Sequence, residues 1–323
     1  MHQTTGKVRK METPKAPVLM ETKLPLPVFL RGKVRDTYDL ESHLLIVVTD
    51  RISAFDVVLP RGIPNKGHVL NRLSSFWFRR TTDIIPNHMT EAVDDIHCID
   101  SYLPANMKFT CPGFLRGRSM VVKKVKRIPI ECVVRGYLAG SAWEEYKEKG
   151  TVHGNPLPEG LVESQELEAP IFTPTTKADN GHDAPMTRKE VEKLIGGRMA
   201  KELEEKSLAL YKHGREYAKE HRLIIADTKF EFGVDNNRLM LIDEALTPDS
   251  SRFWDLEIYQ PGKSQPSFDK QPVRDYLTST GWNKKPPAPD LPDNIIEETS
   301  ERYMEAYERL TGRKLAFLED QPA

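Results

Sequence analysis

The stretch LIIADTKFEFGVDNNRLMLIDEA, residues 223–245, constrains the fold more than any other part of the chain. Two apolar-rich runs flank the turn cluster VDNNR, which predicts an antiparallel hairpin. Side chains alternate faces along a strand, so Leu223, Ile225, Asp227, Lys229 and Glu231 are expected on one side. Ile224, Ala226, Thr228, Phe230 and Phe232 are expected on the other. One face is then apolar throughout, while the other starts apolar and turns charged, as suits a strand that leaves a core and enters a cleft. With a turn centred near Asn236, Lys229 lies opposite Asp243, and Glu231 is a diagonal neighbour of Asp243 at ~7–8 Å. Two carboxylates and an ammonium would share one patch. Oxygen-only ligands suit Mg²⁺ held together with substrate phosphates. A solvent-facing ladder of ion pairs would use the same residues.

Other segments carry signals of the same kind. In FLRGKVRDTYD a single glycine, Gly32, sits between strands beside Lys33 and Arg35, where backbone and two cations could meet a polyphosphate. The motif is neither GxxxxGK[ST] nor GxGxxG, GKS at 262–264 has no upstream glycine, and a plain hairpin with solvated basic residues also explains it. In PIECVVRGYLAGSAWEEY, Glu131 and Arg135 share a strand face that leads to Ser141, read with Glu144 as a capping box. Arg135 and a helix N-terminus suit a phosphate or carboxylate; a simple cap beside a surface arginine is the alternative. Lys177 lies in PIFTPTTKADNGHDAP, whose three prolines argue against regular structure, and Arg252 lies in TPDSSRFWD. Both are ordinary surface cations unless an anion needs them.

The rest of the chain reads as a β-rich first part, residues 26–125, and a more helical second part, 126–323, joined somewhere near 120–135. Residues 1–25 read as a flexible arm. Thr187 and Glu190 form a second capping box, opening a helical region that runs to about His221 with a break at Gly196-Gly197. Residues 247–268 read as a long ordered loop, followed by two closing helices. A charged fraction of 29% with a net charge of −1 argues against a bulk nucleic-acid binder. No apolar run approaches ~18 residues and no secretory signal opens the chain, so a cytoplasmic protein without a membrane span is expected. Cys98, Cys111 and Cys132 are odd in number and lack metal-ligand spacing, which predicts reduced thiols. The oligomeric state is open, with a monomer the simpler expectation.

IPIECVVRGYLAGS and IIADTKFEFG resemble the two signature segments of the phosphoribosylaminoimidazole-succinocarboxamide synthase (SAICAR synthetase) family. RGKVRDTYD, DRISAFD, FTPTTKAD, LIDEALTPDSSRFWD and SFDKQPVRDYL follow in the family's order, so the resemblance covers about residues 28–280. The length is similar to that of the longer, fungal-like members. The resemblance implies an α+β, two-lobed fold similar to protein kinases and ATP-grasp enzymes. It implies a ligase of purine biosynthesis that condenses the carboxylate of carboxyaminoimidazole ribonucleotide (CAIR) with L-aspartate, using ATP and Mg²⁺, through an acyl phosphate. By the same resemblance Gly32, Lys33 and Arg35 match the loop over the ATP phosphates, with Lys123 also assigned to ATP. Glu231 and Asp243 match the acidic ligands of the nucleotide-bound Mg²⁺, and Glu131 an acid at a second Mg²⁺ near the CAIR carboxylate. Asp56 falls near the base, and Arg135, Ser141, Arg252 and Arg274 match the cradle of the ribose 5′-phosphate. Asp227 and Lys229 would lie at the reacting centre, with Lys177 assisting. Two rival readings are a small-molecule kinase with no use for aspartate and a nucleotide-binding module without turnover.

Overall fold

The structure, a computed structural model, describes residues 17–105, 107, 109–177 and 183–315. The chain opens with the antiparallel strands β1 (Val28–Arg31), β2 (Arg35–Leu40) and β3 (His43–Val48), then a small pair, β4 (Ser53–Ala54) and β5 (Val57–Val58). The helix α1 (Lys66–Arg80) follows, and β6 (Met89–Ala92) and β7 (Ser119–Lys123) complete a five-stranded sheet in the order β1-β2-β3-β7-β6. Val69, Leu70, Leu73 and Trp77 recur at helical spacing, and all four are buried on the inner face of α1.

The β-like run 119–136 is divided between two sheets. β7 ends at Lys123, and β8 (Lys126–Tyr137) begins the second sheet. After it come α2 (Ser141–Lys149), the short strands β9 (Thr151–Val152) and β10 (Asn155–Pro156), β11 (Glu166–Phe172) and β12 (Thr175–Thr176). Next are α3 (Arg188–Ile195), α4 (Gly197–Glu220), β13 (Leu223–Asp235), β14 (Arg238–Ile242), β15 (Ser251–Asp255), α5 (Gln271–Ser279) and α6 (Asp293–Thr311). The second sheet has the order β11-β8-β13-β14, with β12 also on β8 and β15 also on β13. Ile46, Val48, Trp77 and Val122 from the first part pack in one cluster with Ile130, Val134, Phe230, Phe232 and Tyr303 from the second. The two sheets therefore share a core. Among the described residues no helix is long and apolar enough to cross a membrane, and the three cysteines are free thiols.

Several expectations need correction. Residues 17–25 are not a loose arm: Leu19 and Asp50 exchange backbone and side-chain hydrogen bonds, Thr22 is buried against Asp36, and Leu24 packs on Tyr38 and Leu45. Residues 1–16 lie outside the described residues. PIFTPTTKADNGHDAP is partly regular, since Ile171 pairs with Arg135 and Thr175 with Glu131. Pro170 sits on the outer strand β11, where a missing N–H costs little in ladder bonds, and Pro174 lies in the link between β11 and β12. Residues 178–182 lie outside the described residues. The expected loop 247–268 contains β15, a short strand formed through pairing with β13. The Thr187 capping box is present in full, but α2 opens differently. Its cap is Gly140, at φ 57, and no side chain caps it. The Ser141 hydroxyl instead faces Arg135.

The largest correction concerns β13. Its pairing with β15 shifts register between Ile225 and Asp227, which places a bulge at Ala226. Leu223 and Ile225 lie in the main core with Phe230 and Phe232, whereas Ile224 and Ala226 pack on Tyr137 and Trp254. The extra residue moves Asp227, Lys229 and Glu231 to the face that Ile224 and Ala226 begin. A second shift lies at the turn. Asn236 and Asn237 both have positive φ (48 and 63), a two-residue turn of the primed kind, which pairs Asp235 with Arg238 and Glu231 with Ile242. Lys229 is therefore not opposite Asp243. Continued by one residue, the ladder would turn Asp243 toward the core. Asp243 instead adopts φ 65 and the chain leaves the strand there.

Candidate active site

The floor of the site is the ladder of β8 and β13, in which Asp227 pairs with Arg135, Lys229 with Val133 and Glu231 with Glu131. Residues two apart on a strand are ~6.7 Å apart, so Asp227, Lys229 and Glu231 mark a line of about 13 Å. The two ends differ in charge.

At one end, the Arg252 Nη1 donates to Asp227 Oδ2 at 2.6 Å and Arg135 Nη1 approaches the same oxygen at 3.3 Å. Arg135 also donates through Nε to Thr173 Oγ1 (3.1 Å) and through Nη2 to Ser141 Oγ (3.4 Å), at the first turn of α2. Gly140 is required beside them: at φ 57, a Cβ there would lie 2.7 Å from Arg252 Nη2. Arg274 is held by the buried Asp269 at 3.0 Å, and Asp227 is among the charges that act on it. Burial and the neighbouring Arg252 both work against the Arg135 charge, and its pKa is lowered although Asp227 opposes them. Two guanidiniums facing one carboxylate leave a net positive charge under a helix N-terminus, which suits a phosphate.

In the middle, Lys229 Nζ donates to Glu131 Oε2 at 2.6 Å, and Lys177 lies 3.3 Å from Glu131 Oε1 and 2.8 Å from Glu231 Oε1. Burial works against ionised Glu131, but Lys229 and Lys177 outweigh it and hold its pKa down. Burial likewise opposes the Lys177 charge, and Glu231 and Glu131 outweigh it, so Lys177 stays an ammonium ion.

At the other end, Arg35 grips Asp243 with Nη1 (2.9 and 3.0 Å) and Glu244 with Nη2 (2.7 Å), joining the first sheet to the end of β14. Burial raises the Glu231 pKa, and the charge of Asp243 raises it further. Two oxygen-donor acids that repel one another are what a hard divalent cation relieves. Among the described residues no group of three or more His, Cys, Asp or Glu is placed to hold a metal. A pair of carboxylates is the donor type that suits Mg²⁺ when substrate oxygens fill its other positions, so Glu231 and Asp243 could hold it. Each of the three acids already has a cationic partner, Lys177 for Glu231 and Arg35 for Asp243, but Glu131 has two, Lys229 and Lys177, and so fits a cation less well.

Of the remaining expected site residues, Gly32 and Lys33 form the β1–β2 turn, and Arg51 clamps it by donating to the carbonyls of Gly32 (3.0 Å) and Lys33 (3.2 Å). Lys33 pairs with Asp56, both of them exposed. Lys123 stands apart. The ladder places it against His43, while Arg35 is against Val48, so the two occupy opposite ends of the first sheet. Glu244, Arg51 and Thr173 were missed in the sequence. Glu244 adjoins Asp243 and Arg51 lies in DRISAFD, but nothing local marks either as a partner of a residue far away in the chain.

Comparison with known proteins places the chain in a family. The family model described as SAICAR synthetase matches residues 28–289. A phosphoribosylaminoimidazole-succinocarboxamide synthase of Thermodesulfovibrio yellowstonii is 52% identical over 296 residues, covering 91% of this chain and 99% of that one. The synthase of Geobacter sulfurreducens is 51% identical, covering 92% and 99%. Bacterial relatives thus match this long form over nearly their whole length. Among solved structures, the SAICAR synthase of Saccharomyces cerevisiae complexed with SAICAR superposes with a TM-score of 0.83 at 44% identity, covering 93% of this chain and 100% of that one. A SAICAR synthetase in complex with ADP gives 0.64 at 26% identity, covering 89% and 99%. The chain belongs to the SAICAR synthetase family and is a ligase with that family's α+β fold.

Proposed function

We propose that this enzyme uses ATP to activate the carboxylate of CAIR as an acyl phosphate and then joins it to L-aspartate, giving SAICAR, ADP and phosphate. The observation that carries this reading is the floor itself, with a guanidinium cradle at Asp227 and a pair of acids at Glu231 and Asp243 about 13 Å apart. A ribonucleotide with a phosphate at one end and a carboxylate at the other spans that line. The relatives complexed with SAICAR and with ADP support both occupants.

In this reading Arg135, Arg252 and Ser141 bind the ribose 5′-phosphate, with Arg274 beside them. Asp227, bonded to both Arg135 and Arg252, holds the cradle in shape rather than acting as a base. Glu231 and Asp243 would hold Mg²⁺, which would neutralise charge on the ATP phosphates. Lys229 and Lys177, anchored on Glu131, steady the γ-phosphoryl group as it passes to the CAIR carboxylate oxygen and ADP departs. The aspartate amine then attacks the acyl carbon, phosphate leaves and the amide forms. Gly32 and Lys33, clamped by Arg51, cover the polyphosphate. Lys123 has no part in this arrangement. The free thiols agree with a cytoplasmic setting.

A coupled assay of ADP release with CAIR, L-aspartate and Mg·ATP, each omitted in turn, tests the reading. ADP release that needs all three, with SAICAR detected by mass, is expected. Release without aspartate would identify a kinase, and no release in the full mixture would identify a binding module.

A further inference from the structure

A second polar cluster lies outside the site, in the shared core. Lys66, the first residue of α1, is fully buried, and its Nζ lies 2.8 Å from Asp249 Oδ2. Tyr303 of α6, also fully buried, donates its hydroxyl to Asp249 Oδ1 at 2.6 Å, and Lys270 Nζ is 3.6 Å from that oxygen. One buried carboxylate is thus gripped from three helices or their caps. A buried ion pair is weak evidence of stability by itself, because desolvation offsets much of the attraction. Its definite consequence is placement: a charge so enclosed has only one position where all its partners are satisfied.

What it places is the segment between β14 and β15. Asp249 N donates to Thr247 Oγ1, and Ser250 N and Ser251 N donate to the Thr247 carbonyl (3.1 and 2.8 Å). Thr247 Oγ1 donates to Glu244, and Lys229 N donates to the Ser250 carbonyl at 2.9 Å. The segment is therefore a tight, internally bonded turn. One end presents Glu244 to Arg35 and the other presents Arg252 to Asp227; Ala245 and Leu246 anchor the segment in the apolar core, and Asp249, the anchor nearest Arg252 in the chain, is the charged one.

We propose that Lys66 and Tyr303 are positioning residues which, by fixing Asp249, set the place of Arg252 in the ribose-phosphate cradle. The inference rests on the reading that Arg252 binds the phosphate of CAIR. Tyr303→Phe removes only a hydroxyl and Lys66→Met only a charge; each is measured alone and combined with Arg252→Ala, together with thermal stability. The expected result for each single variant is a rise in KM for CAIR of at least about tenfold with KM for ATP within about twofold, as for loss of one bond to a charged group. In the Arg252→Ala background neither substitution raises KM for CAIR further, because residues acting through one group are not additive. A purely structural role would lower the active fraction and leave both KM values in place, and that outcome, or additive effects, overturns the inference. If Tyr303→Phe fails to fold, Lys66→Met decides alone. Arg252→Ala by itself tests the underlying site: an unchanged KM for CAIR there refutes the cradle and with it the inference. A raised KM there beside two silent variants refutes the inference only.

Discussion

Asp227→Asn is the perturbation that asks most of the charge arrangement. The substitution keeps volume and shape, so no cavity forms, and it removes one negative charge between two guanidiniums. The Arg135 side chain is 9% exposed and that of Arg252 24% exposed. Removing one partner of a buried pair costs about 3–5 kcal/mol. The asparagine oxygen still accepts one hydrogen bond, and water reaches Arg252, which reduces the expected loss to about 2–3 kcal/mol. The same change raises the net charge of the two arginines and residue 227 from +1 to +2, so inorganic phosphate should bind more tightly, by roughly tenfold. By mass action that difference restores up to about 1.4 kcal/mol at phosphate concentrations well above both dissociation constants. Urea unfolding of both proteins, with and without phosphate, measures the two effects together. A loss below about 0.5 kcal/mol, within the range of ordinary surface substitutions, combined with equal stabilisation by phosphate, would refute the account of Asp227 as the clamp of an anion cradle.

Asp243→Asn should lower turnover at least about tenfold, and because it also removes the charge that Arg35 grips at 2.9 and 3.0 Å, a stability loss of about 1–3 kcal/mol should accompany it; unchanged turnover at saturating Mg²⁺ counts against the metal assignment. Gly136→Ala would set a Cβ 1.9 Å from the hydroxyl of Tyr211, which is buried and donates to the Ile225 carbonyl at 2.7 Å. A loss of about 1–3 kcal/mol is expected, partly recovered by adding Tyr211→Phe; a shift too small to measure in the urea midpoint would show that the contact is soft. His68, beside Arg72 and Gly117, has its pKa pushed down to about 3, first by burial and then by Arg118 and Arg72. The unfolded chain therefore binds a proton below pH ~6.5 that the folded chain refuses, and stability falls as pH drops from ~6.5 toward 3. His68→Gln should flatten that fall, by about 2 kcal/mol at pH 5 relative to pH 7. Parallel loss in the two proteins, measured by urea unfolding, would assign the acid limb to other groups.

Elements were legible wherever the signal is local. α1 follows from Val69, Leu70, Leu73 and Trp77, α3 from its Thr187 capping box, and the β13–β14 hairpin from Asn236-Asn237 between two apolar runs. Residue types at the site, a row of Asp, Lys and Glu on one strand and Arg135 before a helix, were legible for the same reason, and the family motifs gave them roles. Short strands such as β12 and β15 were not, because runs of two and five residues are too short to show a period and become strands only when β8 or β13 offers a ladder, even where they hold Phe253 and Trp254.

That Asp227, Lys229 and Glu231 share a face follows from their order in the chain alone, since a period of two is built into an extended backbone. Which face they share was decided only by the tertiary structure. The bulge at Ala226 arises from pairing with β15, and the exit at Asp243 follows a register set one residue from the expected one. The same holds for Arg35 and Asp243, 208 residues apart, and for Lys66 and Asp249, 183 apart. A local pattern constrains dihedral angles and periodicity, but a one-residue shift in pairing inverts a face, and such shifts are set by contacts that no short window of sequence contains.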